Sequence, residues 1–102
     1  TWCGPCMREM RLLKSTAEKL APQGVVFVCI SDEPIDRLCS FQQRIGSSII
    51  VLQSDKKLSD LQIFSIPTSY LLNTNSEIVY RTNGEIEGTA SELTQKLSGA
   101  LR

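Results

Sequence analysis

Trp2-Cys3-Gly4-Pro5-Cys6 runs straight into Met10, Leu13, Ala17 and Leu20 at helical spacing, with Arg8, Arg11, Lys14, Glu18 and Lys19 on the other faces. That juxtaposition constrains the fold more than any other stretch, because it pins an amphipathic helix to a start within the cysteine pair. Pro5 suits a first helical turn, where its fixed backbone angle is wanted and its missing N–H costs nothing. Two cysteines two residues apart on such a turn can close a small disulfide ring without moving the rest of the chain. Their positions separate their roles. Cys3 falls at or before the helix start, where unpaired N–H groups and the positive end of the helix dipole stabilise a thiolate. Cys6, one turn in, is expected to be more buried and protonated. Cys3 is thus the nucleophile and Cys6 the resolving thiol, with Gly4 leaving room for a partner to approach.

Composition removes most competing chemistries. There is no histidine, which excludes Cys/His and Ser/His nucleophile–base pairs and histidine-containing metal sites. Eleven Lys and Arg balance eleven Asp and Glu, so no basic stripe for nucleic acid is expected. The longest unbroken apolar run, Val25 to Ile30, is far short of the roughly 20 residues of a membrane span. The chain's 102 residues suit one domain with one core.

Strand and helix patterns alternate along the chain. Ala21-Pro22-Gln23-Gly24 breaks the first helix, and Val25–Ile30 reads as a strand covered on both faces. Ser31-Asp32-Glu33-Pro34 reads as a capped start for a second helix, with Ile35, Leu38, Phe41 or Gln42, and Ile45 as its apolar stripe and Gly46 as its end. Ile49–Leu52 suggests another strand and Leu58–Phe64 a small helix, interrupted by Ile66-Pro67. Ser69–Leu72 and Ile78–Tyr80 flank the polar turn Asn73-Thr74-Asn75-Ser76 and predict a hairpin. Thr89-Ala90-Ser91-Glu92 has capping-box spacing ahead of a helix presenting Leu93, Leu97 and Leu101. The layout is α/β with a mixed sheet flanked by helices.

Each candidate residue has a plainer reading beside the functional one. The CxxC pair could be half of a zinc site, but structural zinc takes about four ligands, and Cys29 and Cys39 lie ten apart without a histidine to help. Trp2 is either core filler or a shield over the disulfide. Glu9, three residues after Cys6 on the same helix, either reaches back toward the thiol or pairs across solvent with Arg8, Arg11 or Lys14. Cys29 and Cys39 are expected to be structural free cysteines, with a second disulfide as the alternative.

Trp2-Cys3-Gly4-Pro5-Cys6 matches the redox motif of the thioredoxin superfamily letter for letter, and the resemblance covers nearly the whole chain. Ser65-Ile66-Pro67-Thr68 matches the place where these proteins carry a cis-proline facing the disulfide. Within the superfamily the sequence looks most like the TlpA/ResA-type thiol–disulfide oxidoreductases. Ser31 to Asp60 resembles their insertion, and Cys6-Met7-Arg8-Glu9 matches their CxxCxxE pattern. The resemblance implies a thioredoxin-like fold and a cis Ile66-Pro67 bond whose neighbouring backbone pairs with an extended partner segment. It also implies a proton-moving role for Glu9. Substrate contact would then involve Trp2, Gly4, Pro5, Ile66 and Pro67, and catalysis Cys3, Cys6 and Glu9. The plainer alternative for Pro67 is a trans proline that simply ends the small helix.

Such proteins place a hydrophobic strand directly before the Trp-Cys motif, in the middle of the sheet, whereas this sequence starts at Thr1. The expectation is therefore a thioredoxin-like domain over residues 1–102 that lacks its N-terminal strand because the chain is a fragment. A strand supplied by another chain and a rearranged fold are the alternatives. The resemblance implies exchange with protein disulfides or dithiols and with a redox partner, without metal or organic cofactor. Membrane contact is expected only through an N-terminal anchor upstream. An extracytoplasmic setting is implied, with a cytoplasmic one as the alternative. The competing function is a thioredoxin-like interaction module without redox turnover. Peroxide reduction fits poorly, because a Cys pair stands where a peroxidase has a single cysteine.

Overall fold

The structure, a computed structural model, describes residues 3–100. Helix α1 spans Gly4–Leu20 with Cys3 as its extended N-cap, and its first helical bond runs from the Met7 N–H to the Cys3 carbonyl at 3.0 Å. It ends by tightening into a single 3-10 turn, Ala21–Gln23, before Gly24 takes a φ of 80°. That left-handed angle lets the Gly24 and Val25 amides donate back to the carbonyls of Ala21 and Leu20, which satisfies the helix end.

Strand β1 (Phe27–Ser31) pairs in parallel with β2 (Ile49–Gln53), and the crossover between them is helix α2 (Ile35–Ile45). A parallel pair needs such a connection because a tight turn cannot reverse the chain twice. Strands β3 (Thr68–Leu72) and β4 (Ile78–Asn83) form the expected antiparallel hairpin. At its turn the Asn73 side chain accepts from the Asn75 and Glu77 amides at 2.9 and 3.0 Å. Helix α3 (Ala90–Ala100) opens with a complete capping box: the Glu92 amide donates to the Thr89 hydroxyl, and the Thr89 amide donates to the Glu92 carboxylate.

The mixed sheet expected from the sequence exists as two separate ladders, one parallel and one antiparallel. Among the described residues β1 and β3 share no ladder; the two pairs are joined instead by packing on α1. On one flank Ala17 meets Phe41, Ile45 and Ile49, with Met7, Met10 and Leu13 alongside. On the other, Leu20 meets Leu93 and Leu97, with Leu12, Leu71 and Ile86 around them. Leu13 and Phe27 touch both clusters.

Several expectations need correction. Among the described residues the strand read from Val25–Ile30 is covered on one face only: α1 and α2 cover that face of β1, while Val28 and Ile30 on the other are 48% and 56% exposed. The small helix after β2 is only a 3-10 turn, Leu58–Leu61. Helix α2 has no side-chain cap. Pro34 occupies its N-cap, and Asp32 instead accepts the Leu58 amide at 3.0 Å, pinning that turn. Phe41 rather than Gln42 takes the apolar position on α2, whereas Ile35 stays exposed.

Gln42 has a different task. Its amide donates to the Gly46 and Ile49 carbonyls at 2.7 and 2.9 Å, and its oxygen accepts the Val51 amide at 2.7 Å. It stitches α2 to backbone groups of β2 that another strand would otherwise take. Gln42→Ala should therefore cost about 2 kcal/mol in urea unfolding, while neighbouring, exposed Gln43→Ala stays within ~0.5. Leu20 is fully buried where the second cluster converges, and Leu20→Ala should cost about 3 kcal/mol in the same measurement.

Candidate functional site

The Cys3 and Cys6 sulfurs are joined as a disulfide, with Cα atoms 5.0 Å apart, a span ordinary for such bridges. The ring closes over the first turn of α1 because the N-cap residue is extended while the next residues are already helical. That geometry aims the Cys3 sulfur at the helix's unpaired donors, and it accepts the Cys6 amide at 3.1 Å. Both cysteines are half-buried, so the expected difference in their burial is small. Gly4 between them is exposed.

Glu9 faces inward and is 3% exposed. The solvent-paired alternative is thereby overturned: burial raises its carboxyl above the usual glutamate range, while a 2.8 Å bond from the Ile86 amide holds it down in part. Cys29 packs in the core beside α1, and its thiol is likewise pushed up, first by burial and further by the charge of Glu9. Cys39 is exposed on α2, and both cysteines are free, so the alternative of a second disulfide is not what forms. Cys29 behaves as a small hydrophobe on the inner face of β1.

The Ile66-Pro67 peptide bond is cis. Pro67 is buried at the head of β3, Ile66 beside it is exposed, and the Pro67 carbonyl accepts the Gly84 amide at 2.8 Å. The next residue, Glu85, reaches α1. Its carboxylate takes a two-pronged bond from Arg8, Nε to Oε2 at 3.0 Å and Nη2 to Oε1 at 2.9 Å. The pair raises Arg8 and lowers Glu85 by direct hydrogen bonding, and the Arg8 guanidinium also lies against Gly4, where an added Cβ would be 3.6 Å from Nη1.

Cys3, Cys6 and Glu9 are thus gathered on one end of α1, with Gly4 and Pro5 inside the ring. Pro67 connects to that end through the 84–86 segment. Trp2 lies outside the described residues. The sequence offered no signal for Glu85 or the Ile86 amide, since each partner is 77 residues away. Among the described residues no three His, Cys, Asp or Glu side chains are grouped to hold a metal ion.

No family model matches the chain. Similar curated proteins include the thiol-disulfide oxidoreductase ResA of Geobacillus kaustophilus, 30% identical over 81 residues, covering 76% of this chain and 47% of that protein. ResA of Halalkalibacterium halodurans is 31% identical over 100 residues, covering 93% and 56%. The chain therefore spans about half the length of the curated relatives it matches. Among solved structures, a protein described as thiol:disulfide interchange protein DsbE from Chlorobium tepidum superposes with a TM-score of 0.80 at 20% identity, over 99% of this chain and 74% of that one. StoA from Bacillus subtilis superposes with a TM-score of 0.72 at 24% identity, over 92% and 73%. In sequence, in fold and in the Cys3–Cys6 pair at the head of α1, the chain belongs to the thioredoxin superfamily and is of the TlpA/ResA type.

Proposed function

We propose that the chain is a thiol–disulfide oxidoreductase that reduces protein disulfides through Cys3 and Cys6. The observation that carries this reading is the Cys3 sulfur seated at the N-cap, where it accepts the Cys6 amide. In the reduced protein the same donors favour the Cys3 thiolate. That thiolate attacks one sulfur of a partner disulfide and expels the other as a thiolate. Cys6 then attacks the Cys3 sulfur, releasing the partner as a dithiol and leaving the Cys3–Cys6 disulfide. Two electrons pass to the partner, and a dithiol redox partner returns them. Exposed Gly4 gives the incoming disulfide access, and the backbone beside Ile66 and Pro67 holds the extended segment that carries it.

Glu9 accepts the proton that Cys6 gives up on resolving the mixed disulfide. What supports this is a buried carboxyl three residues beyond Cys6 on the same helix whose proton affinity is raised, in a chain without histidine. The resemblance to the TlpA/ResA type supports an extracytoplasmic setting. Among the described residues no helix is long and apolar enough to cross a membrane.

Insulin disulfide reduction tests the activity. Wild type should turn over, Cys3→Ser should abolish turnover, and Cys6→Ser should accumulate a mixed disulfide visible on non-reducing gels. A folded wild type with no activity would leave the interaction-module reading in its place.

Glu9→Gln should slow resolution by about tenfold and remove its dependence on a group titrating above the ordinary glutamate range. The same variant tests the burial. A carboxyl whose folded value is raised contributes stability in full below its unfolded value, and that contribution is lost as pH rises through the folded value. Urea unfolding from acid to neutral pH should show this decline in wild type and a flatter profile in Glu9→Gln.

A further inference from the structure

Two parts of the proposed site stand on elements that no ladder joins among the described residues. Pro67 heads β3, while Cys3 and Cys6 head α1, and among the described residues the β3–β4 pair is hydrogen-bonded to no other strand. A polar link spans the gap. Gly84 follows β4 with a φ of 90°, a left-handed turn that a side chain would strain, and its amide binds the Pro67 carbonyl. Glu85 and Ile86, the next two residues, grip two consecutive residues of α1: the Glu85 carboxylate holds Arg8, and the Ile86 amide holds Glu9. The Ile86 side chain packs against the cluster of Leu20, Leu93 and Leu97, which anchors the far end in the core.

We propose that Gly84-Glu85-Ile86 is a strap that sets the spacing between the cis-Pro67 loop and the turn bearing Cys3 and Cys6, with Glu85 as its positioning residue. The idea rests on the oxidoreductase reading for its consequence, though not for its geometry. A partner segment held along the backbone at Pro67 presents its disulfide to Cys3 only if that spacing is kept. Small disulfides need no such docking. Glu85 acts through Arg8 and touches no reacting atom. Because 60% of the Arg8 side chain is exposed, solvent screens the pair and the effect is graded rather than absolute.

The experiment compares wild type, Glu85→Gln, Arg8→Met and the double variant on insulin and on the small aromatic disulfide dithiobis-nitrobenzoate, with amide hydrogen exchange on the same proteins. Each single variant should raise KM for insulin about threefold at unchanged kcat and leave the small disulfide's rate unaltered, with the double variant no worse than either. Exchange of the Gly84 and Ile86 amides should quicken by about the same factor. Equal losses on both disulfides, additive effects, or unchanged exchange at Gly84 and Ile86 would overturn the strap. Should wild type reduce neither disulfide, the oxidoreductase reading fails, and the exchange data decide the strap independently.

Discussion

Burial of α1 is the interaction on which the rest of the structure depends. Among the described residues the strands form two ladders without a hydrogen bond between them, so within this span sheet pairing does not join the two halves. Apolar contacts made on opposite flanks of one helix do so instead. Hydrophobic contact is non-directional and tolerates small shifts, which makes it good at cohesion and poor at fixing an angle. Polar links supply the missing geometry: Gln42 between α2 and β2, Asp32 at the Leu58 turn, and the 84–86 segment between α1 and Pro67.

The same helix bears the Cys3–Cys6 pair of the proposed reaction, and the two roles are compatible because they use different ends of it. The first turn has donors to spare and seats the Cys3 sulfur at the N-cap, whereas Thr16, Ala17 and Leu20 are buried toward the other end. Glu9 sits between the two regimes. It is deep enough for burial to favour its protonated form, yet one backbone amide keeps the charged form within reach. The proton-accepting role proposed for Glu9 rests on that balance.

The path from sequence to site was readable where it was local. The N-cap position of Cys3, the capping box at Thr89 and Glu92 and the turn at Asn73 all depend on residues within a few positions of one another. Glu9 is a candidate by its spacing from Cys6 along one helix, but its burial depends on what lies against that face. Gln42 and Asp32 had local readings that the fold overrode, since β2 and the Leu58 turn offered them better partners than their own helix. The open face of β1 shows the converse: a continuous apolar run says that a strand is hydrophobic, not which of its faces has a neighbour.

Sequence alone therefore determined the Cys3–Cys6 pair, its place at a helix start, the order of the elements and the resemblance to the thioredoxin superfamily. These follow from short-range periodicity, capping chemistry and a dense motif. Only the tertiary structure decided which carboxylate was buried, that Arg8 pairs with Glu85 rather than Glu9, and how Pro67 is tied to α1. The reason is physical. Those outcomes depend on groups up to 77 residues apart meeting in space, and no local preference of the chain encodes such a meeting.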